Sequence, residues 1–262
     1  HFIKVDYLDR LKDVEGRAWH FTLDDNPFLS EKVKHRLKTQ YTGLWYKRYV
    51  LGLWVAAEGA IYDMWDEAKH VIVSPKDQKY DKIVVGVDYG TSNPTAFIMM
   101  GKRPSGQWVA FKEYYFDGRK GRQKTDIELA NDLVRFISGH KVNYIVVDPS
   151  AASFKLQLTQ MGLPVADADN SVLDGIRTVA SGLSSGVLLV DESCANLREE
   201  FPGYSWDPKA QDRGEDKPIK SEDHCLDAAR YTFMAAMHGF PCSDWIPPVE
   251  GPVGSPAYSG LF

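Results

Sequence analysis

The pattern of apolar and polar residues changes character near residue 75. Before this point the chain is patterned as helical and irregular. One long basic and aromatic segment covers 30–52, with Ser30 placed as a helix N-cap and Gly43 as a break. After a polar joint at 74–82, apolar runs typical of strands begin to alternate with stretches typical of helices. The pattern therefore predicts a leading segment followed by a mixed α/β unit.

Three β-rich runs come first in that unit, at 82–88, 95–101 and 107–116. Because only short turns separate them, we expect three consecutive antiparallel strands. A helix is predicted next, since Thr125 and Glu128 have the spacing of a capping box at its start.

Beyond that helix, short apolar runs and helical stretches alternate along the chain. Strands are predicted at 143–148, 163–167 and 186–190, and helices at about 150–161, 172–184 and 221–239. Strands linked through helices pair in parallel, which predicts an α/β fold with a mixed sheet flanked by helices. The last residues, 241–262, are rich in Pro and Gly, and we expect them to be disordered.

Two aspartates end predicted strands. Asp88 lies directly before a Gly-Thr-Ser-Asn-Pro turn, and Asp148 ends the next strand expected to be parallel. Ligand sites in such sheets lie at the carboxyl ends of strands. A strand that delivers a carboxylate to a tight turn suits two chemistries, a divalent metal for phosphodiester cleavage or a cradle for nucleotide phosphates.

The final predicted helix carries Asp223, His224 and Asp227 close together near its start. Asp227 has mostly apolar neighbours, where an ionised carboxylate is costly unless a cation compensates it. The cation would be either Arg230, three residues further on, or a bound metal. Without a cation, Asp227 would have to lie at the solvated end of the helix. Asp223 is interpreted as a charge that favours the helix N-terminus.

Together with Asp88 and Asp148, Asp227 would give three carboxylates from three separate elements. Carboxylates are the ligands that Mg²⁺ prefers, and two such ions can hydrolyse a phosphodiester. His224 would add a ligand or move a proton, because its unperturbed pKa is close to neutrality.

Composition and charge restrict the functional classes. The chain has 262 residues, 44% of them apolar, and a net charge of -5, which by itself disfavours a nucleic-acid partner. No apolar run is long enough to span a membrane. The three cysteines have no metal-ligand spacing, which indicates a reducing, cytoplasmic setting.

Basic residues nevertheless cluster locally, most clearly in GRKGRQKT at 118–125. The cluster lies between a strand and a helix as a phosphate-binding loop would, but Gln123 stands where that loop needs its second glycine. We interpret it instead as a loop that contacts the DNA backbone, with a solvated loop as the alternative. Its candidate DNA-binding residues are Arg119, Lys120, Arg122 and Lys124.

The motifs VVGVDYGTSNPTAF, YIVVDPSAASF and SEDHCLDAARY, in this order, resemble the nuclease domain of the large terminase subunit of tailed bacteriophages. DDNPFLSEKVKHRL and YKRYVLGLWVAAEGAIYDMWD resemble the segment that joins that family's packaging ATPase to its nuclease. The resemblance implies an RNase H-like fold and a Mg²⁺- or Mn²⁺-dependent endonuclease with two ions. Such an enzyme cuts concatemeric viral double-stranded DNA during genome packaging.

The resemblance also assigns residues and parts of the chain. Asp88, Asp148 and Asp227 match the metal-binding acids, and His224 matches a histidine present in one branch of the family. Residues 1–75 would be a linker after an ATPase domain on the same full-length chain, 76–240 the nuclease domain, and 241–262 a tail. The implied partners are double-stranded DNA, the small terminase subunit and the portal protein, in the host cell cytoplasm and without a membrane.

Three alternatives stay open from the sequence. Asp-Tyr-Gly-Thr-Ser is similar to the first phosphate loop of actin-like and sugar-kinase ATPases, although no second such loop follows residue 100. Another RNase H-like nuclease, such as a resolvase or integrase, would leave 1–75 unexplained. The third alternative is a DNA-gripping packaging module without catalytic activity.

Overall fold

A computed structural model describes residues 3–91 and 93–238, and within these ranges seven strands form one sheet. The strands are β1 Val71–Ile72, β2 Lys82–Asp88, β3 Thr95–Lys102, β4 Trp108–Phe116, β5 Tyr144–Val147, β6 Val165–Asp167 and β7 Leu188–Asp191. They lie in the order β1-β7-β4-β3-β2-β5-β6. β3 is antiparallel to β2 and β4, and the other neighbouring pairs are parallel. The predicted mixed sheet of RNase H-like type is therefore confirmed.

Helices cover both faces of this sheet. The helices of the described residues are α1 Glu31–Gln40, α2 Gly43–Tyr49, α3 Glu67–His70, α4 Asp126–Ile137, α5 Ala152–Gln160, α6 Val172–Ser184, α7 Ala195–Gly203, α8 Pro208–Asp212 and α9 His224–His238, with short helical turns at Ile3–Tyr7, Leu8–Arg10, Leu23–Asp25 and Gly118–Lys120. Across the described ranges, no helix combines the length and apolar character that a membrane span needs.

The sheet separates two apolar cores. Val84 faces a core shared with α6, α7 and α9, whereas Val85 and Val87 face a second core shared with α4 and α5. Alternate side chains of one strand thus enter opposite cores, which explains why β2 reads as an uninterrupted apolar run.

α9 lies directly on β2 because Gly86 has no side chain. A Cβ at Gly86 would lie 2.2 Å from the carbonyl oxygen of Ala228 and 2.1 Å from Oγ1 of Thr232. Any larger residue would push the helix away from the strand. This close contact fixes the position of the first turns of α9 relative to the end of β2.

The leading segment packs against the core on the α9 side. Trp45, Ile61 and Tyr62 are buried in that core, and the Ile61 amide donates to the carbonyl of Tyr204 at 2.8 Å. The sheet itself reaches into this part of the chain, since β1 pairs in parallel with β7.

Most element boundaries agree with the sequence pattern, including the capping box of Thr125 and Glu128. The last helix starts three residues later than predicted, at His224. Glu222 has a φ of 49°, which lies in the left-handed region and interrupts a helix. The end of that helix at residue 239 and the tail at 241–262 lie outside the described residues.

β1, α7 and α8 were not predicted. β1 is only two residues long, too short for a periodic signal. α7 depends on distant partners, because the Glu113 carboxylate accepts from the amides of Asn196 and Leu197. For α8 a local signal existed, since Asp207 caps the helix and Pro208 is its first residue.

Candidate active site

An acidic cleft of about 400 Å³ opens at the carboxyl ends of β2 and β5. Asp88 is the last residue of β2, and Asp148 directly follows β5. Because Val87 pairs with Val147 in parallel register, the two aspartates leave neighbouring strands at the same edge. We call Asp88 and Asp148 the sheet wall of the cleft.

α9 forms the opposite side. His224, Asp227 and Tyr231 are three and four residues apart, so they share one face of the helix, and all three line the cleft. Asp223 precedes the helix and lines the same space. We call Asp223 and Asp227 the helix wall. The structure thus brings the four predicted site residues to one cleft: Asp88, Asp148, Asp227 and His224.

Asp88 is paired with His224. The His224 Nδ1 lies 2.9 Å from Oδ2 of Asp88, and both side chains are largely buried. Burial raises the pKa of Asp88 and outweighs the opposing hydrogen bond from His224, while the charge of Asp227 raises it further. Burial would lower the pKa of His224, but its hydrogen bond to Asp88 and that carboxylate's charge raise it. The pair therefore retains a proton more readily than two separate groups in water.

Asp148 is held by neutral donors. The Tyr231 hydroxyl donates to Oδ2 of Asp148 at 2.8 Å, and the Ser150 amide donates to Oδ1 at 2.7 Å. Burial would raise the pKa of Asp148, but the hydrogen bonds from Ser150 and Tyr231 lower it below its usual value. Asp148 is therefore a fixed and ionised carboxylate at neutral pH.

Asp227 is held by two cations. Its Oδ1 accepts from Arg230 at 2.9 Å, and its Oδ2 lies 2.8 Å from the ammonium of Lys220. Arg230 is almost completely buried and packs where Gly175 of α6 leaves room, since a Cβ there would lie 2.5 Å from its stem. The pairing of Asp227 with Arg230, one of the two alternatives from sequence, is thus present.

Asp223 has a buried oxygen without a hydrogen-bond partner. The residue is only 4% exposed, and among the described side chains no donor satisfies its Oδ2. The nearest positive charge is the Lys220 ammonium at 3.3 Å, which is an ionic contact with unsuitable geometry for a hydrogen bond. A buried carboxylate oxygen without a hydrogen bond is costly, so the charge of Asp223 depends on the Lys220 ammonium.

The donor chemistry of the cleft suits a hard divalent cation. The aspartates of both walls face it, and carboxylate oxygens are the ligands that such a cation prefers. Over the described part of the chain, however, no three His, Cys, Asp or Glu side chains already stand close enough to hold an ion. The cleft therefore offers ligands from two walls rather than a closed cage.

The predicted DNA-binding loop divides into two halves. Arg119 lines the cleft and pairs with Asp117 at 2.8 Å and Glu222 at 3.2 Å, while the Lys120 side chain is 83% exposed. The basic residues of the second half are paired with carboxylates of α4. Arg122 pairs with Glu128 at 2.7 Å, and Lys124 pairs with the buried Asp132.

The turn after β2 is closed on itself. The amide of Gly90 donates to Oγ1 of Thr95 at 3.2 Å, and the Thr95 hydroxyl donates back to the Gly90 carbonyl at 3.0 Å. An amide engaged in this way is not available to cradle a phosphate. This geometry favours the metal alternative over the nucleotide alternative.

Three residues in or behind the site were not predicted from the sequence. Tyr231 was detectable, because it lies four residues after Asp227 on the same helix face. Lys220 and Glu200 were not, since a loop lysine and a helix carboxylate look like surface residues until the chain folds.

The chain is similar in sequence and in structure to large terminase subunits of bacteriophages. No protein-family model matches the chain. The large terminase subunit of Escherichia phage T5 is 28% identical over 196 residues, which are 70% of this chain and 43% of that protein. The solved large terminase of the thermophilic bacteriophage D6E, in complex with ADP, is 48% identical with a TM-score of 0.83, over 91% of this chain and 60% of that chain.

A third relative shows only the shared fold. The nuclease domain of the P22 large terminase superimposes with a TM-score of 0.56 at 18% identity, over 69% of this chain and 93% of that domain. This chain spans less than two thirds of the T5 and D6E proteins. In sequence and in structure its relatives are therefore large terminase subunits, as the motifs indicated, and the shared region has the fold of their nuclease domain.

Proposed function

We propose that this chain is a divalent-metal-dependent endonuclease, using Mg²⁺ or Mn²⁺, that cuts concatemeric viral double-stranded DNA during genome packaging. The observation that carries the proposal is the convergence of Asp88, Asp148, Asp227 and His224 on one acidic cleft. The 48% identity to a solved large terminase supports the packaging context.

Each side chain has a proposed role. Asp88 and Asp148 would hold the cations on the sheet wall, with Asp227 and His224 contributing from α9. Two bound divalent ions supply charge neutralisation at the scissile phosphate and activation of water. Tyr231 keeps Asp148 oriented through its hydrogen bond. The Nδ1 of His224 lies 2.9 Å from Oδ2 of Asp88, so this pair could hold or move a proton in the cleft.

The basic loop would guide the DNA backbone. Arg119 and Lys120 stand at the rim of the cleft or in solvent, where they can meet phosphates. Arg119, Arg122 and Lys124 would each have to leave a carboxylate partner first. Lys120 is the most exposed of the four, so we expect it to make the most accessible phosphate contact.

The wider setting follows from the relatives. The D6E protein was solved with ADP and is longer than the region matched here. We propose that the nuclease works beside a packaging ATPase domain on the same polypeptide, with residues 1–75 as the connection and 76–240 as the nuclease. Its further partners would be the small terminase subunit and the portal, in the host cytoplasm.

Plasmid cleavage tests the proposal. With Mn²⁺ or Mg²⁺, the chain should nick and linearise supercoiled DNA, and Asp88→Asn should reduce the rate by more than about 100-fold, because even partners of metal ligands are typically worth 10- to 100-fold. The matched control is Asp167→Asn. Asp167 ends the parallel strand β6 but pairs with Lys155 outside the cleft, so its replacement should leave the rate unchanged.

Three results would contradict parts of this proposal. Metal-dependent cleavage that survives Asp88→Asn in a folded protein would contradict the assignment of the cleft. No cleavage by the unaltered chain with either metal would favour a DNA-gripping module. Saturable ATP binding by this chain would favour the nucleotide-binding alternative.

A further inference from the structure

Lys220 occupies a position in the cleft that a metal ion could also occupy. Its ammonium lies 2.8 Å from Oδ2 of Asp227 and 3.3 Å from Oδ2 of Asp223. Its charge also lowers the pKa of Asp88 on the opposite wall. One lysine therefore contacts both carboxylates of the helix wall, and its charge also acts on Asp88 across the cleft.

We propose that Lys220 is a built-in counter-ion that competes with a divalent cation for the helix wall and thereby sets the metal affinity of the cleft. This inference rests on the proposed function, because it concerns the same carboxylates. It also gives Asp223 a role beyond the helix N-terminus. Its unsatisfied Oδ2 would complete the oxygen pair that receives the cation once the ammonium withdraws.

The two cations on Asp227 differ in their freedom to leave. Arg230 is 2% exposed and confined against Gly175, so it stays on Oδ1 of Asp227. The Lys220 side chain is 59% exposed and reaches Asp227 from a loop. Only Oδ2 of Asp227 is therefore open to exchange between an ammonium and a metal.

The position of Lys220 in its loop gives the side chain access to a second space beside the cleft. Its backbone is fixed just before the lysine, where the Ile219 amide donates to the Ser205 carbonyl at 2.9 Å. The side chain borders both the acidic cleft and a neighbouring groove of about 710 Å³ that Trp45 and Arg177 help to line. Rotation of the side chain towards that groove would take the ammonium away from the carboxylates.

The competition would persist at neutral pH. An alkyl ammonium is protonated at neutral pH. Because this ammonium contacts both Asp227 and Asp223, a divalent ion has to displace a cation rather than fill free space. Neutral replacement of Lys220 should therefore strengthen metal binding.

Calorimetric titration of Mn²⁺ into the 262-residue chain tests this. Lys220→Met keeps the apolar stem and removes the charge, so its dissociation constant should fall about tenfold, the effect expected from one nearby charge in a partly screened site. Lys220→Arg should resemble the unaltered chain. Lys217→Met is the matched control, since that lysine pairs with Glu215 at 2.7 Å outside the cleft. Adding Asp223→Asn to Lys220→Met should reverse the gain.

The outcomes separate the inference from the function on which it rests. If the chain binds Mn²⁺, Asp88→Asn weakens that binding, and Lys220→Met binds no more tightly, the inference is wrong and the proposed function stands. If neither the unaltered chain nor Lys220→Met binds Mn²⁺, both fail. Lys220→Gln repeats the test with a polar side chain, and thermal melting in EDTA verifies that each variant is folded.

Discussion

The two walls of the acidic cleft compensate their carboxylates in different ways. On the sheet wall, Asp88 and Asp148 accept from a histidine, a tyrosine hydroxyl and a backbone amide. On the helix wall, Asp227 and Asp223 face the permanent cations Lys220 and Arg230. The sheet wall therefore contains no permanent cation and keeps at least the charge of Asp148 for an incoming cation, whereas the carboxylates of the helix wall are paired with a lysine and an arginine.

This difference follows from how each wall is built. Strand ends are rigid and lie side by side, so two carboxylates can be presented at one edge without a permanent cation as partner. The helix wall is a loop and a first helical turn, whose carboxylates need partners to remain in an apolar environment. A metal should thus find its first ligands on the sheet wall and compete for the rest.

The largest effect on stability should come from breaking the helix wall at Arg230. Arg230→Ala leaves the largely buried Asp227 with only Lys220, and loss of one partner of a buried pair typically costs about 3 to 5 kcal/mol. Arg177→Ala is the control, because its pair with the more exposed Asp174 should be worth less than about 1 kcal/mol. Urea denaturation measures the free energy of unfolding of both variants. Equal losses would show that Arg230 does not stabilise the helix wall.

A smaller effect concerns Glu200, which supports the helix wall from behind. Its carboxylate accepts from the Leu226 amide at 2.8 Å, and burial raises the pKa of Glu200 from 4.5 to about 7. The folded chain thus keeps a proton that the unfolded chain releases. Stability from this group is complete below about pH 4.5 and declines as the pH rises towards 7, by about 3 kcal/mol.

Glu200→Gln should remove that decline, because the amide does not titrate. Denaturation between about pH 4.5 and 7.5 in EDTA measures the slope, and Glu199→Gln on the exposed side of α7 is the control. A slope that is the same in the unaltered chain and in Glu200→Gln would mean that the carboxyl ionises freely and does not support α9.

The smallest effects are expected at the basic loop on the rim. Lys120→Ala should weaken DNA binding a few-fold and reduce its salt dependence by about one ion, without loss of stability. Lys124→Ala should lower the stability and leave DNA binding unchanged, because Lys124 pairs with the buried Asp132 and lies 4.2 Å from the Phe116 ring. Filter binding at several salt concentrations would decide, and interchanged phenotypes would place the DNA contacts in the second half of the loop.

The sequence predicted the sheet wall well because its signals are local. The runs that become β2 and β5 are apolar without interruption, and each is followed or ended by an aspartate. Parallel strands place such residues at one edge, so the proximity of Asp88 and Asp148 follows from the residue pattern alone.

The helix wall was only partly predictable, because its chemistry depends on distant contacts. Asp227 and Arg230 are three residues apart, so their pairing was visible in the pattern. Lys220 precedes the helix in a loop, and its approach to Asp227 depends on Glu222 breaking the predicted helix start. Glu200 lies 26 residues from Leu226, and no local rule connects them.

The most direct test of the difference between the walls is a crystal structure with Mn²⁺, read from the anomalous signal of the metal. We expect a peak on the sheet wall in contact with the carboxylates of both Asp88 and Asp148, and a weaker second site towards Asp227. Saturating Mn²⁺ with no peak on the sheet wall, or with a peak confined to Asp223 and Asp227, would contradict the account.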